Sequence, residues 1–187
     1  MSIPALTPEG VLPPFVGPDA AASSRDMSPY SATALEVVSH FGTTTSRQSI
    51  LRGWLDHRIK LRTAGFDRGF QWLDGSFVEN KDPNDLDVVT YLYRPQGILD
   101  PRSLRSHMQA NPHLFQRSTV KTNYRLDFFS VDLDGSPEFI VSFTCFYLGL
   151  FSHRRSDQLW KGMLQVRLEI PNDDQAALAA LGSTSTP

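Results

Sequence analysis

Apolar positions along this chain change their spacing several times, and each change marks an element. Across residues 31–41, Leu35, Val38 and Phe41 recur at helical intervals and Gly42 follows, which predicts a short helix. Thr45 or Ser46 can then cap a longer helix. Its apolar set is Ile50, Leu51, Trp54, Leu55, Ile59 and Leu61, and Gly65 closes it. The same periodicity assigns Arg47, Arg52, Arg58, Lys60 and Arg62 mostly to the solvated side. Residues 70–73 and 85–93 read as strands. Asp100-Pro101 supplies an N-cap and a first-turn proline for a helix that Asn111-Pro112 ends near Ala110.

A third strand is expected over 124–131, stopped by the turn Asp132 to Pro137. Residues 139–151 suit a strand or a buried helix. The helix is favoured, because Phe139, Phe143, Phe146 and Leu150 then share one face. Over 163–170 the chain alternates, with Leu164, Val166, Leu168 and Ile170 inward. The order predicts an α/β (α+β) domain over 31–171, with one mixed sheet and helices packed mainly on one face. Residues 1–30, rich in Pro, Ala and Ser, read as an extended arm that Leu12, Phe15 and Val16 can anchor. Residues 172–187 read as a flexible C-terminal tail that includes at most a short Ala/Leu helix.

Composition narrows the function classes. The 187 residues suffice for one domain with a hydrophobic core. A net charge of −2 argues against tight non-specific nucleic-acid binding, yet it permits a local basic wall around a nucleotide. No apolar run reaches the roughly 18 residues of a membrane span, and prolines interrupt any signal segment near the N-terminus. The single cysteine, Cys145, sits in an apolar run and reads as a small buried hydrophobe, so a cytoplasmic setting is expected. The five histidines show no metal-ligand spacing.

Candidate chemistry gathers between residues 74 and 89. Gly75-Ser76 permits a tight turn that offers N–H groups and a hydroxyl to a phosphate. Asp85 and Asp87, one residue apart in a strand, share a face while Leu86 and Val88 take the other. Two such carboxylates suit a divalent ion or, alternatively, an acidic hairpin. Asp127 stands between Leu126 and Phe128 in the third strand, where an unpartnered carboxylate is costly. A shared metal, a salt bridge to Arg125 or Lys121, or simple exposure would each remove that cost. Asp74 reads as a cap of the turn. Asp132 and Asp134 are explained by their own turn. Arg154, Arg155 and Lys161 either reach phosphate oxygens or belong to a solvated loop.

Gly75-Ser76, a short loop, Asp85-Leu86-Asp87-Val88 and then Leu126-Asp127-Phe128 resemble the signature of the polymerase-β-type nucleotidyltransferase superfamily. The chain is also similar to a family of small bacterial nucleotidyltransferase-like proteins. That resemblance lies at Leu12-Pro13-Pro14, Phe41, Arg47, Trp72 to Phe77, Pro83 to Val89 and Lys161-Gly162. It implies a minimal nucleotidyltransferase fold, with Asp85, Asp87 and Asp127 holding Mg²⁺ or Mn²⁺. Gly75, Ser76 and Lys161 are then expected on the phosphates of an NTP, with ATP as the nucleotide. The acceptor would be a protein, an RNA or a small molecule, and a protein partner is expected, as in toxin–antitoxin or phage-defence modules. The competing expectation is a non-catalytic nucleotide-binding or partner-binding regulatory module of the same fold.

Overall fold

Thr33 and Thr44 start the first two helices. The structure, a computed structural model, describes residues 3–17 and 26–183. Thr33 forms a capping box with Glu36 and begins α1 (Ala34–Phe41). Thr44 accepts the Arg47 N–H and begins α2 (Thr45–Thr63), one residue earlier than the sequence suggests. The strands are β1 (Tyr30–Ser31), β2 (Gly69–Asp74), β3 (Leu86–Leu92), β4 (Leu126–Asp132) and β5 (Leu164–Arg167). The remaining helices are α3 (Pro101–Ala110), α4 (Pro112–Phe115), α5 (Arg117–Tyr124), α6 (Pro137–Phe151) and α7 (Pro171–Ser183). Asp100 caps α3 by accepting the N–H groups of Arg102 and Ser103.

The strands form one mixed sheet in the order β1-β5-β2-β3-β4. β2 runs antiparallel to β3 and β5, while the β1–β5 and β3–β4 pairs are parallel. This is the expected α+β architecture. On one face α2 lays Ile50, Leu51, Trp54 and Leu55 in a core shared with Leu73, Val88, Leu126 and Leu164 of the sheet. Each such side chain contributes about 1.5–3 kcal/mol of burial. The other face carries a smaller cluster of Trp72, Val89, Tyr91, Val131 and Met163, met by Tyr147 and Phe151 of α6.

Several expectations are corrected. Arg47 and Arg58 are buried, not solvated. Arg47 donates to the carbonyls of Phe77, Glu79 and Lys81. Arg58 meets Asp174, Gln71 and the Arg167 carbonyl, so its guanidinium is buried with its donors engaged. Asp174 belongs to α7, which occupies 171–183 in place of the expected flexible tail. That helix buries Ala177 and Leu181 in the core, and its Asp174 also pairs with Arg62 at 2.6 Å. Residues 184–187 lie outside the described residues.

Helix α6 forms as expected, but with another face inward. Phe139, Phe143, Phe146 and Leu150 are all exposed, while Tyr147 and Phe151 are buried. Cys145 is exposed on the same helix, not buried. Ile170, expected inward, is exposed because β5 ends at Arg167. Tyr124 closes α5 instead of opening a strand, since Arg125 adopts φ +58° and redirects the chain into β4.

Residues 3–17 lie against the domain. Leu12 is buried in the main core, Val16 packs at its edge, and Phe15 stands 5.9 Å from Trp160. Backbone bonds tie this segment down, among them Gly162 N–H to the Leu12 carbonyl, Asn80 N–H to the Gly10 carbonyl and Ser28 N–H to the Pro14 carbonyl.

Candidate active site

Three neighbouring strands put three carboxylates in a row. Asp74 at the end of β2 is the register partner of Asp87 in β3, and Asp87 is the partner of Asp127 in β4. Directly opposed residues point to the same face, here the one that Trp72 and Val89 share, and Asp85 adds a fourth acid two positions before Asp87. The row opens into a cavity of about 560 Å³ that Gly75, Ser76, Arg155 and Lys161 also line. The three expected acids and the Gly-Ser turn therefore meet at one mouth.

Gly75 opens a one-turn 3-10 helix (Gly75–Val78) with φ +72°, a conformation that favours glycine. A Cβ at this position would collide with Asp87 Oδ2, so the turn and the carboxylate are fitted to each other. Ser76 faces the cavity, and its hydroxyl makes no hydrogen bond among the described residues. Asp74 was expected to cap this turn and does not: its side chain makes no capping bond. Both Asp74 oxygens are buried without a hydrogen-bond partner, although Lys161 Nζ stands 3.2 Å from Oδ1. Burial pushes the Asp74 carboxyl up to about 7.

Asp87 has neither a hydrogen bond nor an ion pair among the described residues. Burial, then the charges of Asp85 and Asp127, push its carboxyl up to about 6. Its neighbours are compensated by α5. Arg117 grips Asp127 with two bonds, 2.5 and 2.7 Å, and holds that carboxyl below its ordinary value. Lys121 pairs with Asp85 at 2.6 Å. The Asp127 partner is thus Arg117, not the Arg125 or Lys121 that sequence proximity suggests. Arg125 instead bonds the Asn84 carbonyl and Ser46.

The expected phosphate-binding cations divide into three fates. Lys161 is buried, and its ammonium donates to the Gly75 carbonyl at 2.9 Å and to Glu79 at 3.1 Å. It braces the turn from within while lining the same cavity. Arg154 pairs with Asp157 and donates to the Glu9 carbonyl. Arg155 is exposed at the cavity rim without an ion-pair partner among the described residues, and its charge acts on Asp87 and Asp127. Asp132 and Asp134 serve Arg94 at the opposite end of β4.

The carboxylate oxygens are hard donors of the kind a divalent ion takes. Asp87 is unpartnered and fills the Cβ space of the turn, whereas Asp74, without a hydrogen bond, is ion-paired to Lys161. Among the described residues, no three potential ligands converge on one point as they stand. Asp85 and Asp127 turn toward Lys121 and Arg117 instead. Sequence reasoning set Asp74 aside as a cap, named Lys121 only as a possible partner of Asp127, and missed Glu79 and Arg117. Asp74 left a partial signal, since it shares the strand parity of Trp72.

Fold and site define an α+β protein with a carboxylate row and a Gly-Ser turn at one end of its mixed sheet. Residues 4–167 match the family of unknown function DUF6932, and the chain belongs to that family. No curated protein and no solved structure matches it.

Proposed function

We propose that this protein is a Mg²⁺- or Mn²⁺-dependent nucleotidyltransferase that passes NMP from an NTP to a protein, RNA or small-molecule acceptor. The observation that carries the reading is the row of Asp74, Asp87 and Asp127, with Asp87 unpartnered over the Gly75 turn. Asp85, Asp87 and Asp127 would hold the metal, and their hard oxygens suit Mg²⁺. A bound divalent ion neutralises phosphate charge and makes an acceptor hydroxyl easier to deprotonate. Asp127 would also help to activate that hydroxyl. Ser76 and the backbone of its turn would hold the outer phosphates, and Arg155, which lines the same cavity, would offset their charge.

ATP as the nucleotide, and a protein partner within a toxin–antitoxin or phage-defence module, rest on the sequence resemblance. A cytoplasmic setting is in keeping with the single cysteine. No described helix is long and apolar enough to cross a membrane. The ion pairs of Asp85 and Asp127 favour a second reading, a non-catalytic nucleotide-binding or partner-binding regulatory module.

The test is incubation with labelled NTPs, Mg²⁺ or Mn²⁺ and candidate acceptors, comparing wild type with Asp85→Ala/Asp87→Ala. Label transfer that survives the double substitution overturns the proposed site. Calorimetry that detects no NTP·Mg²⁺ binding at millimolar nucleotide removes both nucleotide readings.

A further inference from the structure

The two cations on α5 are placed to do more than balance charge. Arg117 and Lys121 are four residues apart on one helix, so they project from the same side across successive turns. Each reaches one outer member of the acidic group, Asp127 or Asp85, and leaves Asp87 between them without a partner. Both side chains are more than half exposed, at 59% and 53%, although the carboxylates they grip are largely covered. Long side chains with charged heads near solvent can swing, although Arg117 in doing so gives up its cation–π contact with the Phe129 ring, 4.6 Å from the centroid. The backbone behind them is fixed: Arg125 bonds the Asn84 carbonyl and Ser46, and Gly53 of α2 approaches the Tyr124 carbonyl too closely to admit a Cβ.

Charge balance decides what this arrangement does. Asp127 and Asp85 are ion-paired to Arg117 and Lys121, whereas Arg155 and Lys161 act on Asp87 only through space. A divalent ion on Asp85, Asp87 and Asp127 would leave Arg117 and Lys121 charged, solvated and without carboxylate partners, directly over the site. A polyphosphate is the ligand class that meets such a pair. Resting on the reading proposed above, we infer that Arg117 and Lys121 are exchangeable counter-ions, which hold the empty carboxylates and transfer to the phosphates of an incoming polyphosphate when metal arrives. The two side chains then oppose metal alone and favour the metal–polyphosphate complex, so ion and polyphosphate load together.

Opposite signs are the signature. With the full chain, Mn²⁺ binding is measured by the paramagnetic resonance signal of free Mn²⁺, and binding of preformed Mn²⁺–tripolyphosphate by calorimetry. Arg117→Ala/Lys121→Ala is expected to bind Mn²⁺ alone about tenfold more tightly than wild type, and the complex about tenfold more weakly. Arg117→Lys/Lys121→Arg keeps both charges and is expected to restore much of the wild-type pattern. If the alanine variant weakens both equilibria, or leaves Mn²⁺ affinity unchanged, the exchange is wrong and the pairs are merely structural. In that event Mn²⁺ binding that Asp87→Asn abolishes keeps the metal reading intact. Absence of Mn²⁺ binding to wild type and variants alike overturns both.

Discussion

Asp87 occupies the space that a side chain at Gly75 would need. The carboxylate of one strand thus rests on the bare backbone of the turn that follows its neighbour. Gly75→Ala meets a left-handed φ and this contact together. It is expected to destabilise the fold by about 1–3 kcal/mol and to displace Asp87 from the row. Thermal unfolding reads the first effect, and loss of Mn²⁺ affinity reads the second. An alanine variant with wild-type values for both would remove the fit between turn and acid.

The raised Asp87 carboxyl has a stability consequence of definite sign. Its folded value is about 6 against an ordinary 3.8, so between these values the folded state keeps a proton that the unfolded state releases. The resulting penalty is absent below the ordinary value, grows as pH rises through the folded value and persists above it. Asp87→Asn is therefore expected to stabilise the metal-free protein by about 1–3 kcal/mol near pH 8, a gain that fades by about pH 4. Burial lowers His57 to about 4, which acts in the opposite direction, removing stability as pH falls from 6.5. That effect is common to both proteins and cancels in their difference. Urea melts in chelator at several pH values measure it, and a pH-independent difference would contradict the assignment.

Asp174 is the counter-charge of the buried Arg58, which it meets with both carboxylate oxygens at 3.0 Å. Removing it strands a fully buried guanidinium. Asp174→Ala is expected to cost about 3–5 kcal/mol in urea denaturation. A loss below about 0.5 kcal/mol would place α7 outside the cooperative unit.

Two adjacent aromatics on α6 should behave differently. Phe146 is 60% exposed, whereas Tyr147 is buried against Phe129 and Phe151. Phe146→Ser is expected within about 0.5 kcal/mol of wild type, and Tyr147→Ala to lose about 2–4 kcal/mol. Equal losses in equilibrium unfolding would mean that the helix presents another side to the sheet.

That helix shows why some features are legible in a sequence and others are not. α2 and α3 follow from apolar spacing and capping residues, because those signals are local. α6 is apolar almost all round, so periodicity predicts its existence but cannot say which side meets β4. Arg47 and Arg58 look like surface residues by type. Their acceptors, the 77–81 carbonyls and Asp174, are brought to them only by the tertiary fold. At the site, Asp85 and Asp87 are readable from strand parity alone. Asp74 is not, since the connection from Gly75 to Asp85 is too long for turn rules to fix which residue of β2 faces Asp87. Arg117 and Lys121 sit in a short polar helix whose aim depends on the left-handed Arg125.

The N-terminal segment changes how the site should respond to opening. Its Gly10 carbonyl holds the amide of Asn80, shortly after the Gly75 turn, and its Leu12 carbonyl holds the amide of Gly162, beside Lys161. The two strands of chain that brace Gly75 are thus latched by a third from far away in sequence. Amide exchange at Asn80 and Gly162 should then report one shared opening event, and proteolytic nicking before Leu12 should quicken both.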